Sequence, residues 1–157
     1  MSEPAPALQH NISACFDTAT RPWEPFSAPG LPQGVQMRCL RAFPDGTPRS
    51  AMLRIPKGWH MPERGLAGTT QQYFIVSGAL QVGEETLRRH GFIAGFPGDT
   101  LPALAAAEDV ELIAIFEGGP RFEGPTNAGV RARVIPDCFS VAPIVPVING
   151  RKLEGFE

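Results

Sequence analysis

Beside its carboxylates, three residue types in this chain could move protons or hold a metal: the histidines His10, His60 and His90, the lone tyrosine Tyr73, and the cysteines Cys15, Cys39 and Cys138. A histidine and a tyrosine in one pocket suit acid and base chemistry on a small substrate, because they titrate in different ranges and both reach hydrogen-bond partners. His60 and Tyr73 are the candidates, since His10 falls in a stretch without strand character and His90 abuts Gly91 at a turn. Each has a plainer reading beside it: His60 as a hydrogen-bonded strand histidine, Tyr73 as core packing with its hydroxyl satisfied. The cysteines are odd in number and lack C-x-x-C spacing, which disfavours a disulfide framework or a structural zinc site and leaves three reduced thiols. Three histidines leave little material for a three-His metal centre, so a site built from His60 and carboxylates elsewhere is the remaining metal alternative.

The elements that would position these residues are strands. Seventeen Pro and seventeen Gly in 157 residues suit many short strands joined by turns far better than long helices. From Met37 to Phe116 apolar runs alternate with turn signals: QMRCLRAF then PDGTP, SAMLRIP then KG, QQYFIVSG, ALQV then GEE, FIAGFP then GD, and DVELIAIF closed by EGGP. This predicts a meander of six or seven strands, mostly β throughout. Only residues 103–107, ALAAA, have strong helix propensity, and a loop is the equal alternative there. Residues 35–118 are expected to form the core, flanked by extended arms at 1–34 and 119–157 that are rich in Pro, Gly and isolated apolar residues. Such arms can lie over the sheet edges or pair with another subunit.

A net charge of -2 with both signs scattered, and no basic stripe, excludes nucleic acid as an expected partner. The N-terminal stretch has no basic n-region or apolar h-region, and no apolar run reaches membrane-spanning length, so a soluble cytoplasmic protein without membrane contact is expected.

Between Gly58 and Gly98 the sequence resembles the cupins. Their first motif reads G-x5-H-x-H, three or four residues, E, six residues, G; their second reads G-x5-P-x-G-x2-H-x3-N. Here Gly58 is followed after five residues by Arg64, Gly65 and Leu66, then after four more by Gln71, and after six more by Gly78. Gly91 precedes Pro97 by the spacing of the second motif, with Gly98 directly after, and the histidine position falls on Leu101 or Pro102. The resemblance covers about half the chain and implies an all-β fold, a single cupin β-barrel of jelly-roll type with extended N- and C-terminal arms.

The resemblance also implies that the four positions holding a divalent metal in typical cupins are Arg64, Leu66, Gln71 and Leu101 or Pro102. None is an ordinary ligand, and an arginine would put a permanent positive charge where the cation belongs. No metal and no other cofactor is therefore expected. By the family's inward histidines and glutamate and by strand alternation, Arg64, Leu66, Gln71, Tyr73 and Ile75 should face the interior, with His60 on the parity of Arg64. An inward arginine demands an anion, supplied by Asp109 or Glu111 or by a ligand. The favoured expectation is a metal-free pocket for a small anionic or carbonyl-bearing molecule. His60 and Tyr73 would transfer protons, Arg64 and Gln71 would orient the ligand, and Leu66, Trp59 and Leu101 would line the pocket. Isomerisation, cyclisation or dehydration would then be the chemistry. A metal-dependent dioxygenase with unusual ligands and a non-catalytic ligand sensor are the alternatives. Plainer roles remain open for Arg64 as a rim residue, for Gln71 as a space filler, and for Trp59 and Trp23 as seals of a core edge. A homodimer is what the resemblance implies.

Overall fold

A computed structural model describes residues 18–124 and 130–139, with the backbone alone of 147–148 and 151–152. His10, Cys15 and about half of each expected arm lie outside the described residues. A 3-10 turn at Thr18–Thr20 leads into β1 (Glu24–Pro25), β2 (Gln36–Ala42) and β3 (Pro48–Ile55). The middle of the chain forms β4 (His60–Met61), β5 (Arg64–Ala67), β6 (Gln71–Ser77), β7 (Leu80–Val82), β8 (Glu85–Leu87) and β9 (Phe92–Gly95). There follow β10 (Thr100–Leu101), β11 (Leu104–Ala106), β12 (Val110–Phe116), β13 (Arg121–Glu123) and β14 (Arg133–Ile135), then a hairpin of β15 (Val147–Ile148) and β16 (Arg151–Lys152). Among the described residues there is no α-helix, and no helix is long and apolar enough to cross a membrane.

The strands do not form the expected meander. The largest sheet runs β1, β2, β3, β12, β6, β9, β14, so β12 is inserted between two strands that precede it by dozens of residues. A second sheet runs β10, β5, β13 and a third β4, β11, β7, β8. Pairing between these strands is antiparallel throughout. Sequence periodicity says which side chains are buried, whereas the choice of neighbour is made by whichever pairing lets the buried faces meet.

That meeting is visible in the core. Ala51, Leu53 and Ile55 on β3, Val110, Leu112, Ala114 and Phe116 on β12, and Tyr73 and Ile75 on β6 are buried at every second position. They join Met61, Leu66, Leu87 and Leu101 from the other two sheets in one hydrophobic cluster. Each large side chain taken fully out of water contributes about 1.5–3 kcal/mol. The cluster also takes Phe26, whose ring stacks on Phe116 at 6.0 Å, and Phe122 and Ala132, so the core draws on residues outside 35–118. ALAAA is neither helix nor loop: Leu104–Ala106 is β11, held between β4 and β7, a case of tertiary pairing overriding propensity.

The turn after β6 depends on Gly78. Its φ is +86°, and a Cβ there would lie 2.1 Å from the Asp109 carbonyl oxygen at the start of β12. A backbone oxygen cannot yield as a flexible side chain would. Gly78→Ala should therefore destabilise the fold by about 2 kcal/mol or more, through the clash and the left-handed backbone together. Urea unfolding monitored by tryptophan fluorescence should show the lowered midpoint.

Candidate functional site

Strand β5 carries the first of the expected site residues. Its register sets Arg64 opposite Leu101 and Gly65 opposite Thr100 on β10, and directly opposed residues share a face of the sheet. Leu101 is buried in the core, so Arg64 leaves the strand on the interior side and Leu66, two residues on, does the same. Leu66 has room because residue 95 is glycine: a Cβ there would lie 2.2 Å from Leu66 Cδ1. Arg64 is half-buried, and its Nε is buried with no hydrogen-bond partner among the described residues.

Neither carboxylate expected to neutralise it is inside. Glu111 lies on the outer face of β12 and accepts a 3.0 Å bond from the Arg54 guanidinium, while Asp109 accepts the Lys57 backbone N–H at 2.8 Å on the surface. Arg64 forms no ion pair among the described residues.

Gln71 opens β6 between Gly95 of β9 and Phe116 of β12 and is wholly buried. Its Oε1 accepts the hydroxyl of Tyr73, two residues along the same face, and its Nε2 has no partner among the described residues. A buried N–H left unpaired costs about 1–3 kcal/mol, so an acceptor beside this amide would be stabilising. Tyr73 is buried edge-on to Phe116, and burial pushes its phenol well above the ordinary tyrosine value. The phenol is thus a hydrogen-bond donor and not a base at any ordinary pH.

Tyr73 faces a cavity of about 40 Å³. Trp59, Met61, Leu101, Phe26 and Phe122 line it with other aliphatic side chains, and the only polar tips among its lining side chains are those of Trp59 and Tyr73. The Trp59 indole N–H is already given to the Pro32 carbonyl at 3.3 Å and the Tyr73 hydroxyl to Gln71, so the surface of the cavity itself is wholly apolar. Trp59, Tyr73 and Leu101 are therefore brought together; Gln71 reaches the cavity only through Tyr73, and Leu66 and Arg64 lie outside its wall.

His60 is not part of this group, which corrects the expected pairing with Tyr73. In β4 the inward position belongs to Met61, and His60 is exposed on the other face, its Nδ1 3.5 Å from the Gly58 carbonyl. Pro62 interrupts the strand before Arg64, so alternation cannot be counted across it. Trp23 is also outside, between the guanidinium groups of Arg38 and Arg54 at 4.3 and 4.2 Å. His90 adopts a φ of +75° and packs against Phe74 and Phe139 on the outer face of the large sheet. Phe26, Leu31 and Val35 close one end of the cavity and were not legible as site residues, because their stretch has no strand period.

The positions at which a cupin holds its metal do not fit one. Arg64, Leu66, Gln71 and Leu101 or Pro102 supply a cation, two hydrocarbons and one neutral amide, and the described residues contain no group of three or more His, Cys, Asp or Glu able to hold a metal ion.

Neither a protein-family profile nor a curated protein sequence matches the chain. Solved structures do. A candidate dioxygenase from Nostoc punctiforme superposes with a TM-score of 0.63 at 20% identity over 77% of this chain, which spans 46% of the length of that protein. An RmlC-like cupin protein from Ralstonia eutropha gives 0.57 at 18% identity over 81% of this chain and 82% of its own. An acetylacetone dioxygenase from Acinetobacter johnsonii gives 0.53 at 18% identity over 78% of this chain and 80% of its own. The chain has the cupin fold, an all-β jelly roll.

Tyr73 is the sole tyrosine, so its ionisation can be followed without interference. Its raised pKa means that the folded state keeps the proton while the unfolded chain loses it above about pH 10. The phenol's contribution to stability is therefore intact below that value and declines as pH rises above it. Phenolate absorbance should stay absent where free tyrosine ionises and appear only together with unfolding; ionisation at the ordinary value in a folded protein would contradict the burial.

Proposed function

We propose that this chain is a ligand-binding cupin that takes a small neutral molecule with a carbonyl oxygen into the barrel, without a metal at the family's usual position. The observation that carries the reading is the Tyr73–Gln71 pair behind an apolar cavity wall, with the Gln71 Nε2 unpartnered. A carbonyl oxygen would accept a hydrogen bond from Tyr73 once the hydroxyl turns from Gln71 toward the cavity. The Gln71 amide could then turn its Nε2 toward the phenol oxygen, exchanging an orphaned buried N–H for an orphaned carbonyl, the less costly of the two.

Of the two ligand classes considered from sequence, the neutral one is the better supported. The wall holds no cation, and burying a carboxylate against hydrocarbon costs several kcal/mol unless it is paired. Size narrows the class further: a cavity of about 40 Å³ is well below the ~150 Å³ apolar cavity that holds benzene, so even a ligand of a few heavy atoms enters only if side chains of the wall move. With His60 outside, the interior lacks the expected acid and base pair. Binding or sensing is accordingly preferred here to isomerisation, cyclisation or dehydration.

Acetone is the simplest probe of this class, and xenon is the control for an apolar cavity alone. In amide-resolved NMR titrations, acetone should shift resonances of β6, β10 and β12, and Tyr73→Phe should weaken acetone at least about tenfold while leaving xenon binding in place. Native mass spectrometry of protein purified without added metal should show bare polypeptide or polypeptide plus a small organic molecule. One equivalent of iron, with substrate oxidation lost to a chelator, would overturn the reading in favour of a dioxygenase.

A further inference from the structure

The wall of the inner cavity is not equally firm all round. Leu53 and Ile55 on β3, Leu112 on β12, Tyr73 on β6 and Ile93 on β9 stand on strands paired on both sides. Phe26, Leu31 and Val35 belong instead to the connection between β1 and β2. That connection is held by isolated backbone bonds: the Phe26 N–H to Val35 O at 2.8 Å closes its neck, and Pro29 O accepts the Phe122 N–H at 2.8 Å. Segments tied in this way open at lower free energy than the centre of a sheet.

The same connection borders a second, outer space of about 340 Å³, and Phe26 and Val35 line both spaces. These two buried side chains are therefore the partition between them. The polar side chains around the outer space, Ser27, Gln33 and Gln36, are exposed, and no ionisable side chain lines it. Small-molecule sites measure roughly 300–1,000 Å³, which the outer space reaches and the inner cavity of about 40 Å³ does not.

We infer that the outer space is a second subsite for the same ligand, holding a neutral carboxamide or alcohol end against Ser27, Gln33 and Gln36 while the carbonyl end passes the Phe26 ring into the cavity. This rests on the reading of the interior as a carbonyl site, and it names the ligand class as an elongated neutral molecule with a small ketone at one end. A carboxamide offers both donor and acceptor, which is what glutamine amides can match, whereas a charged end would find no counter-ion there. Phe26 is the member of the partition that moves. Its ring lies stacked on Phe116 with 7° between the planes and swings aside by side-chain rotation, while Val35 is β-branched and stiff at χ1.

Two measurements separate the subsite from the carbonyl reading beneath it. In NMR titrations, the double variant Gln33→Ala, Gln36→Ala should weaken 4-oxopentanamide at least about tenfold more than it weakens acetone. Equal effects on the two, with acetone still bound, would overturn the outer subsite and leave the carbonyl reading standing. Xenon exchange tests the route without any carbonyl: Phe26→Leu, or Val35→Ala if that variant folds poorly, should quicken exchange at least about tenfold, whereas Ile93→Val in the paired wall should not. Exchange that is no faster in the Phe26 and Val35 variants than in Ile93→Val would overturn the route, whether or not acetone binds.

Discussion

Strand β12 is the member on which the arrangement depends. It pairs with β3 on one side and β6 on the other, so it joins the N-terminal strands to those that carry Gln71 and Tyr73. Its inner side chains, Val110, Leu112, Ala114 and Phe116, are buried in the middle of the core, and Phe116 meets both Phe26 and Tyr73 through its ring. The same strand contributes Ile113 and Ile115 to the opposite face.

Inside, the governing quantity is the small number of polar groups and whether each has a partner. Replacing histidine and glutamate by Arg64, Leu66 and Gln71 changes the interior from a set of electron-pair donors to a set of hydrogen-bond donors beside hydrocarbon. Donors beside hydrocarbon are not the ligand set that a divalent cation requires. The substitutions also support one another, because Leu66 extends into the space that Gly95 leaves open, and the Gln71 carbonyl is held by Tyr73. The Tyr73–Gln71 hydrogen bond is thus the point at which core packing and the pairing of buried polar groups coincide. A hydroxyl there is stable only because it is hydrogen-bonded, and its buried proton is the group that a carbonyl would seek.

Much of this was legible in the chain because it is local. Alternation and turn residues marked β2, β3, β6, β9 and β12 within a residue or two, and the spacing from Gly58 to Gly78 placed Leu66, Gln71 and Tyr73 on the inner face, where the structure has them. Strands as short as β4, β5, β10 and β11 have too few residues to show a period, and ALAAA carried a propensity that its neighbours overruled. His60 was assigned to the wrong side because parity was counted through Pro62, which cannot continue a ladder. Phe26 and Phe122 have no local signal, since they enter the cavity from segments whose path is set by backbone bonds such as Phe26 N–H to Val35 O and Phe122 N–H to Pro29 O.

By itself, then, the sequence determined the fold class and the chemical character of the interior, because side-chain polarity and turn geometry belong to residues one at a time or in short runs. The tertiary structure decided which strands are neighbours, which carboxylates stay outside, and which polar group reaches the cavity. Those outcomes depend on contacts between residues far apart in the chain, such as β12 with β3, Glu111 with Arg54 and Trp59 with Pro32. No single stretch of sequence encodes such a contact; it exists only when both partners lose water at the same place.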